Sequence, residues 1–323
     1  MRAVVVREFG PPAVLVASEV PEPAAGAGQA LIAVEVANVT FVETQVRAGR
    51  PPNPAMLPSL PAILGNGVGG TVVSVGSAGD SALVGRRIVT SLRGTGGYAE
   101  RVVADTTGLI DIQGELRTED AVALLADGRT ALLLVRSAAI RPGETVLVEA
   151  AAGGVGSLLI QLARTAGARV IGAAGGERKL GVPRELGASV VVDYTQPDWA
   201  ARLRSNLGGV DLVFDGVGGA IGRAAFELLQ PGGRFCLFGM SSGAFAQVSE
   251  ADAEARGVAL IRGARPTPEE LRGLVQAALA EAVAGRLRPL IGQTFPLERA
   301  ADAHVAMEQR ATIGKTLLVC STS

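Results

Sequence analysis

The segment Thr145-Val-Leu-Val-Glu-Ala-Ala151-Ala-Gly153-Gly154-Val155-Gly156, followed by SLLIQLARTAG, sets a short apolar strand, a glycine turn and a helix in direct succession. A turn of this kind can hold a phosphate. Gly153 lets the backbone approach a pyrophosphate, Gly156 permits close packing of helix on strand, and the free N–H groups at the helix start point at the anion. Ala151 stands where the first glycine of a Gly-x-Gly-x-x-Gly pattern would be. Alone, such glycines read equally well as a tight turn without a ligand. The flanking strand and helix, and the next strand beginning at Ala168, point instead to a dinucleotide.

Which dinucleotide depends on the end of the second strand, where an acid would take the ribose hydroxyls of NAD. That strand ends Gly172-Ala173-Ala174-Gly175-Gly176, with Glu177, Arg178 and Lys179 just beyond. No acid occupies the strand end and two cations lie within reach of a 2′-phosphate, so NADPH is the expected cofactor. Glu177 either contacts a ribose or is the first-turn acid of the following helix, where the dipole favours it.

The elements that must carry this turn are legible from residue texture. TVLVEAA, ARVIGAA, SVVVDY, VDLVFDGV, GRFCLFG and VALIRG are near-continuous apolar runs alternating with helical stretches. Strands buried on both faces of a parallel sheet look like this, and the unit is an α/β Rossmann domain of six parallel strands. The first hundred or so residues differ: AVVV, ALIAVEV, GTVVSVG, RRIVTSL and AERVVA are short β runs between Gly and Pro clusters, implying a mostly β domain. After Arg265-Pro266 comes a tail of two helices and the strand KTLLVC, too small to stand alone. The economical arrangement is one discontinuous domain, 1–121 plus 265–323, with the dinucleotide-binding domain 122–264 inserted in it.

Composition narrows the function classes. The chain has 323 residues, 30 Lys plus Arg against 31 Asp plus Glu, and a net charge of −1, so no global field draws in nucleic acid or anionic lipid. The longest uncharged stretch, 51–79, contains five prolines and is no membrane helix. The N-terminus MRAVVVREFG lacks the apolar core of a signal peptide, and a cytoplasmic protein is expected. The only cysteines, Cys236 and Cys320, sit in apolar runs and read as buried strand residues.

The opening MRAVVVREFG, the turn at 150–156, LGAS with VVDY at 186–194, VFDGVGG at 213–219, LFGMSSG at 237–243 and RATIGKTLLV at 310–319 occur in an order that resembles the zinc-independent quinone oxidoreductase group of the medium-chain dehydrogenase/reductase superfamily, which includes zeta-crystallin. The resemblance spans essentially the whole chain and implies that the mostly β domain is GroES-like and catalytic. It also implies that Gly153, Gly154 and Val155 cradle the pyrophosphate, with Gly156 completing the cofactor-binding turn, and that Gly175 and Lys179 flank the adenosine phosphate. Tyr194 would lie on the adenosine half, and Thr130, Val217 and the run Phe238, Gly239, Met240, Ser241 would surround the nicotinamide half. Arg310 matches an arginine that reaches back to the cofactor. A homodimer joined at the edge of the cofactor-domain sheet is implied too, and RFCLFGM and VALIRG suit that edge.

Zinc-dependent relatives hold zinc with Cys and a His-Glu pair, but here those positions read Thr40 and Asn66-Gly67, and the chain's single histidine, His304, lies in an amphipathic helix as a solvated or packed residue. No metal is expected. The sequence also departs from the quinone oxidoreductase pattern, which commonly has Asn at the Thr40 position and Asp at the Glu43 position. Two tyrosines of some relatives read Gln45 and Pro51. Without metal ligands to polarise an alcohol, reduction of a conjugated system is the better-supported chemistry. Hydride would pass to a carbon activated by a carbonyl, hydrogen bonds would hold the resulting oxyanion, and water would protonate it. Thr40 and Asn66 are candidates for contacting the substrate oxygen, and Glu43 and Asp127 for accepting or relaying a proton. Plainer roles exist: Thr40 and Asn66 satisfying turn backbone, and Glu43 pairing with Arg47 four residues on. The expected function is NADPH-dependent reduction of a small quinone or α,β-unsaturated carbonyl. The alternatives are an enoyl-thioester reductase or pathway tailoring enzyme, with the Pro-rich stretch 49–61 shaping a larger site, and a non-catalytic NADPH-binding protein.

Overall fold

The computed structural model describes residues 1–262 and 266–320. The chain divides into two compact units, Met1–Ala126 with Val275–Ser323, and Asp127–Leu274. Both divisions fall inside helices, Thr118–Ala138 and Pro268–Val283. A continuous helix offers no compositional break, which is why the sequence reading set the first division at 121/122; the second, at 264/265, lies outside the described residues.

In the first unit the long strand Gln29–Val39 pairs antiparallel with Gly67–Val75, Arg101–Asp105 and Lys315–Val319. Arg87–Ser91 and Ile110–Asp111 extend this sheet on one side, and Ile291–Pro296 extends it on the other, parallel to Lys315–Val319. A three-stranded sheet joins Val16–Glu19, Arg2–Val6 and Ala62–Ile63. Val4, Val6, Ile32, Val39, Tyr98 and Leu318 belong to one apolar core. Its helices are Phe41–Arg47 and Ala300–Glu308.

His304, on the second of these helices, is packed and has no exposed surface. Its Nε2 lies 3.0 Å from the Tyr98 hydroxyl, and the two rings meet edge to face. Burial, reinforced by the charge of Arg47, pulls its pKa down to about 3. The folded state therefore keeps His304 neutral while the unfolded chain protonates it near its ordinary value, so stability present at neutral pH is lost as pH falls from that value toward the depressed one. The loss approaches ~1.4 kcal/mol per pH unit. Denaturant midpoints of His304→Leu should show a shallower acid limb than wild type; parallel limbs would contradict the assignment.

The second unit is a Rossmann sheet. Its strands are β1 (Thr145–Val148), β2 (Arg169–Ala174), β3 (Val190–Asp193), β4 (Val210–Asp215), β5 (Leu229–Leu237) and β6 (Ala259–Arg262). All neighbours run parallel, in the order β3-β2-β1-β4-β5-β6. The helices are α1 (Gly154–Thr165), α2 (Glu177–Glu185), α3 (Trp199–Leu207), α4 (Gly219–Glu227) and α5 (Glu250–Arg256). β1, β2 and β4 are almost wholly buried, as their unbroken apolar runs require, whereas edge strands β3 and β6 are only partly covered. The strand order reverses between β1 and β4, where a sheet of this kind leaves a crevice at its carboxyl edge. One expectation is corrected here. RFCLFGM lies on β5, paired on both sides by β4 and β6, so of the two proposed dimer strands only VALIRG is on an edge. Cys236 on β5 and Cys320 are both buried free thiols, each pushed up to about 12, chiefly by burial.

Candidate functional site

The turn after β1 is closed by the Gly153 N–H donating to Ala150 O at 2.7 Å, with Ala150 itself in the left-handed region at φ 48°. Gly153 is the extended N-cap of α1. Ala151, in the place of the first glycine, is fully buried and donates its N–H to Ala173 O on β2. Its methyl is tolerated because Gly172 faces it; a Cβ there would already meet Ala151 at 3.5 Å and Pro183 at 2.4 Å. Gly156 is obligatory on steric grounds, since a Cβ would lie 2.3 Å from Ala150 O. At Gly154 a Cβ would fall 2.0 Å from Asp127 Oδ2. The structure thus sets the half-buried Asp127 carboxylate against the N-terminus of α1, where the helix dipole favours an anion.

Around this turn the unit gathers the other expected cofactor residues. Tyr194 packs its ring on Gly175, 2.9 Å from where a Cβ would be. Asp193, at the end of β3, takes the Gly176 N–H at 2.9 Å and the Thr195 hydroxyl at 2.7 Å. Burial opposes its ionisation, but these bonds outweigh it and hold the carboxyl below its ordinary range. The half-buried Lys179 lies in the first turn of α2, and Glu177 pairs across that helix with Arg184 at 3.6 Å. Val217 is fully buried after β4. Phe238 and Gly239 both donate to Asp215 O at 3.1 Å, and Ser241 to Gly216 O at 3.4 Å, which ties the segment after β5 to the β4 turn. Met240 is half-buried in that segment, and Thr130 is half-buried on Thr118–Ala138. Arg310 belongs to the first unit, exposed just beyond Ala300–Glu308 with φ 54°.

In the first unit, Thr40, Glu43 and Asn66 come together. Thr40 is the N-cap of Phe41–Arg47 and, with Glu43, forms a capping box: the Thr40 N–H donates to Glu43 Oε2 at 2.6 Å and the Glu43 N–H to Thr40 Oγ1 at 3.4 Å. The other carboxylate oxygen, Oε1, accepts the Asn66 N–H at 2.7 Å. One buried carboxylate therefore fixes both turns. Burial raises its pKa, against the opposing pull of the Thr40 and Asn66 N–H groups and the Lys315 charge. The helix-face pair with Arg47 does not form. Arg47 is buried and bonds Glu308 and Thr44 O, because a guanidinium out of water needs a carboxylate that is not already saturated. Asn66 Oδ1 accepts the Gly94 N–H at 2.7 Å, which leaves its Nδ2 as the donor end.

Three residues of these arrangements escaped the sequence reading. Tyr98 donates to Glu43 Oε2 at 3.3 Å and reaches His304, and the acids Glu149 and Asp215 lie beneath Val217. The Thr40-x-x-Glu43 spacing was a readable capping signal; nothing local marks the long-range partners. The donors at Thr40 and Asn66 do not fit a catalytic zinc, which takes thiolate, imidazole or carboxylate ligands. Among the described residues no group of three or more His, Cys, Asp and Glu is placed to hold a metal.

Residues 26–114 match the family described as alcohol dehydrogenase GroES-like domain, and residues 186–318 match that described as zinc-binding dehydrogenase. The chain is 31% identical over 330 residues to 2-haloacrylate reductase of a Burkholderia species, covering 98% of each. It is 32% identical over 313 residues to human quinone oxidoreductase, covering 94% of this chain and 93% of the relative. Among solved structures it is similar to Escherichia coli quinone oxidoreductase complexed with NADPH, with a TM-score of 0.89, 30% identity, and coverage of 99% of this chain and 100% of that one. With an α/β unit built on a dinucleotide turn and near full-length likeness to these relatives, this oxidoreductase belongs to the quinone oxidoreductase group of the medium-chain dehydrogenase/reductase superfamily.

Proposed function

We propose that the protein reduces a quinone or another α,β-unsaturated carbonyl at the expense of NADPH. The observation that carries this reading is the Gly153–Gly156 turn at the crossover of the β3-β2-β1-β4-β5-β6 sheet, with no acid at the end of β2 and Lys179 in the first turn of α2. The residues present fit the cofactor: Gly156 brings the α1 N-terminus against the turn, and no side chain fills the space beside Gly153. When bound, NADPH supplies a hydride from nicotinamide C4 to an electrophilic carbon. Gly153, Gly154, Val155 and Gly156 hold the pyrophosphate. Lys179 and Gly175 serve the adenosine phosphate, and Tyr194 the adenosine face. Val217, Phe238, Gly239, Met240, Ser241 and Thr130 serve the nicotinamide half, with Arg310 as a further cofactor contact.

The Thr40 hydroxyl and Asn66 Nδ2 are the donors proposed for the oxygen that gains charge as hydride arrives. Glu43 keeps them in register, because its two oxygens are committed to the Thr40 and Asn66 backbone. Water protonates the oxyanion, and Asp127 orders the α1 N-terminus. The reading extends to conjugated acids, as the name of the 2-haloacrylate reductase relative suggests.

NADPH oxidation followed by absorbance with a benzoquinone, phenanthrenequinone and a short enone tests this reading, and rapid turnover supports it. Tight NADPH binding without oxidation of any of them would replace it with a specialised acyl-thioester substrate or a non-catalytic binder. Lys179→Ala should raise KM for NADPH roughly 10- to 100-fold, the weight of a charged hydrogen bond, and leave KM for NADH within about twofold. Equal effects on both nucleotides would remove Lys179 from the 2′-phosphate.

A further inference from the structure

Two acids beneath the Val217 turn take no part in the chemistry above. Glu149 follows β1 and Asp215 ends β4, and neither has any exposed surface. The Val217 N–H is shared between them, 3.3 Å from Glu149 Oε2 and 3.1 Å from Asp215 Oδ1, and the Gly218 N–H donates to Asp215 Oδ1 at 2.6 Å. The carboxyls lie within hydrogen-bonding reach of each other. One oxygen of each, Glu149 Oε1 and Asp215 Oδ2, is buried without a donor. From α4 the pair is faced by Gly222, whose Cβ would lie 2.6 Å from Asp215 Oδ2, and Phe238 after β5 packs on Gly216. No Lys, Arg or His from any of these elements acts on either acid; Glu149 feels the charge of Asp215, and Asp215 receives a hydrogen bond from Glu149.

Two carboxylates this close and this dry do not both ionise. What the site lacks is one hydrogen. We infer that Glu149 retains a proton shared with Asp215, and that this acid pair clamps the Val217–Gly218 turn as a positioning device for the nicotinamide half of NADPH. The part concerning NADPH rests on the proposed function; the shared proton does not. Burial first, and the Asp215 charge second, hold the Glu149 carboxyl well above the usual range. Only a proton moves: above its titration Glu149 releases H⁺ to solvent, two anions face each other, and the turn carrying Val217 is pushed open.

The sign follows from linkage. The folded state binds a proton that the unfolded chain has released, so stability falls as pH rises from the ordinary glutamate value through the raised one. One proton gives up to about a tenfold fall in the folding constant per pH unit. NADPH covering the turn favours the protonated pair, so its Kd rises once the pH passes the raised value at which the free folded protein releases the proton.

The experiment measures unfolding midpoints and NADPH Kd from about pH 6 to about pH 9.5 for wild type and Glu149→Gln, whose amide donates to Asp215 without titrating. The variant should remove the stability slope and, above the raised value, bind NADPH tighter than wild type by up to about tenfold per pH unit. Parallel slopes in the two proteins would overturn the proposal, because a packing role alone has no reason to be pH-dependent. Should Glu149→Gln not fold, the infrared carbonyl band of a protonated carboxyl in wild type at neutral pH decides the matter: its presence, with a change of frequency in Asp215→Asn as the hydrogen-bond partner changes, supports the shared proton, and its absence overturns it. Failure of wild type to bind NADPH at any pH would defeat the functional reading and with it the nicotinamide role of the clamp, while the stability slopes still decide the proton.

Discussion

Gly156→Ala should weaken NADPH binding by about 100-fold, or ~2.7 kcal/mol, and destabilise the fold by ~1–3 kcal/mol. The added methyl would sit 2.3 Å from Ala150 O, 2.9 Å from Ala150 C and 3.0 Å from Ala151 Cα, all of them backbone atoms with no rotamer to yield. The first turn of α1 must then move off the strand, carrying the N–H groups that face the pyrophosphate. Gly181→Ala in α2 is the matched control. Nothing lies within 4 Å of its Cβ, so the same chemical change there should gain a few tenths of a kcal/mol, up to about 1, from helix propensity. Titration of NADPH by fluorescence and denaturant melts of both variants check this. Equal affinities would show that the turn does not carry the cofactor.

Glu43→Ala should cost ~3–5 kcal/mol of stability and reduce kcat by roughly two orders of magnitude. The substitution strands the Thr40 N–H and the Asn66 N–H, which now end on the carboxylate, and leaves the Tyr98 hydroxyl with His304 alone. Buried donors without acceptors are costly, and the two turns they belong to carry the proposed oxyanion donors. Glu43→Gln should fall between, since one amide oxygen still accepts while the NH₂ confronts an N–H. It should also flatten a limb of the pH profile: with its folded pKa raised by burial, Glu43 contributes stability below the ordinary glutamate value that is lost as pH rises through the raised one. A wild-type melting curve and kcat in Glu43→Ala would show that the carboxylate does not organise these turns.

How far the sequence goes toward this picture is a matter of range. The Gly153–Gly156 turn and its sheet were readable because their signals are contiguous: apolar runs for strands covered on both faces, glycines where backbone approaches backbone. Glu43 shows the opposite case. Its i+4 neighbour Arg47 fitted a helix-surface rule, yet Arg47 is drawn 261 positions along the chain to Glu308, and Glu43 meets Tyr98, 55 residues away. Pairing rules drawn from solvent-exposed helices fail where both side chains are buried, because there each charge must be matched by whatever the tertiary fold delivers. The same holds for Glu149 and Asp215, which stand just after β1 and at the end of β4 and meet only because these strands are neighbours. Strand order likewise decides which apolar run is an edge: RFCLFGM and VALIRG look alike in sequence, and only pairing to β4 places the first inside.

The two sealed thiols bear on the chemistry in a different way. Quinones and activated alkenes are soft electrophiles that arylate or alkylate exposed thiolates, and an enzyme that gathers them risks modifying itself. Cys236 and Cys320 are buried in or beside strands as neutral S–H groups, far from the thiolate form that attacks such compounds. On the proposed reading, the protein can handle reactive substrates turnover after turnover while offering them no sulfur nucleophile of its own.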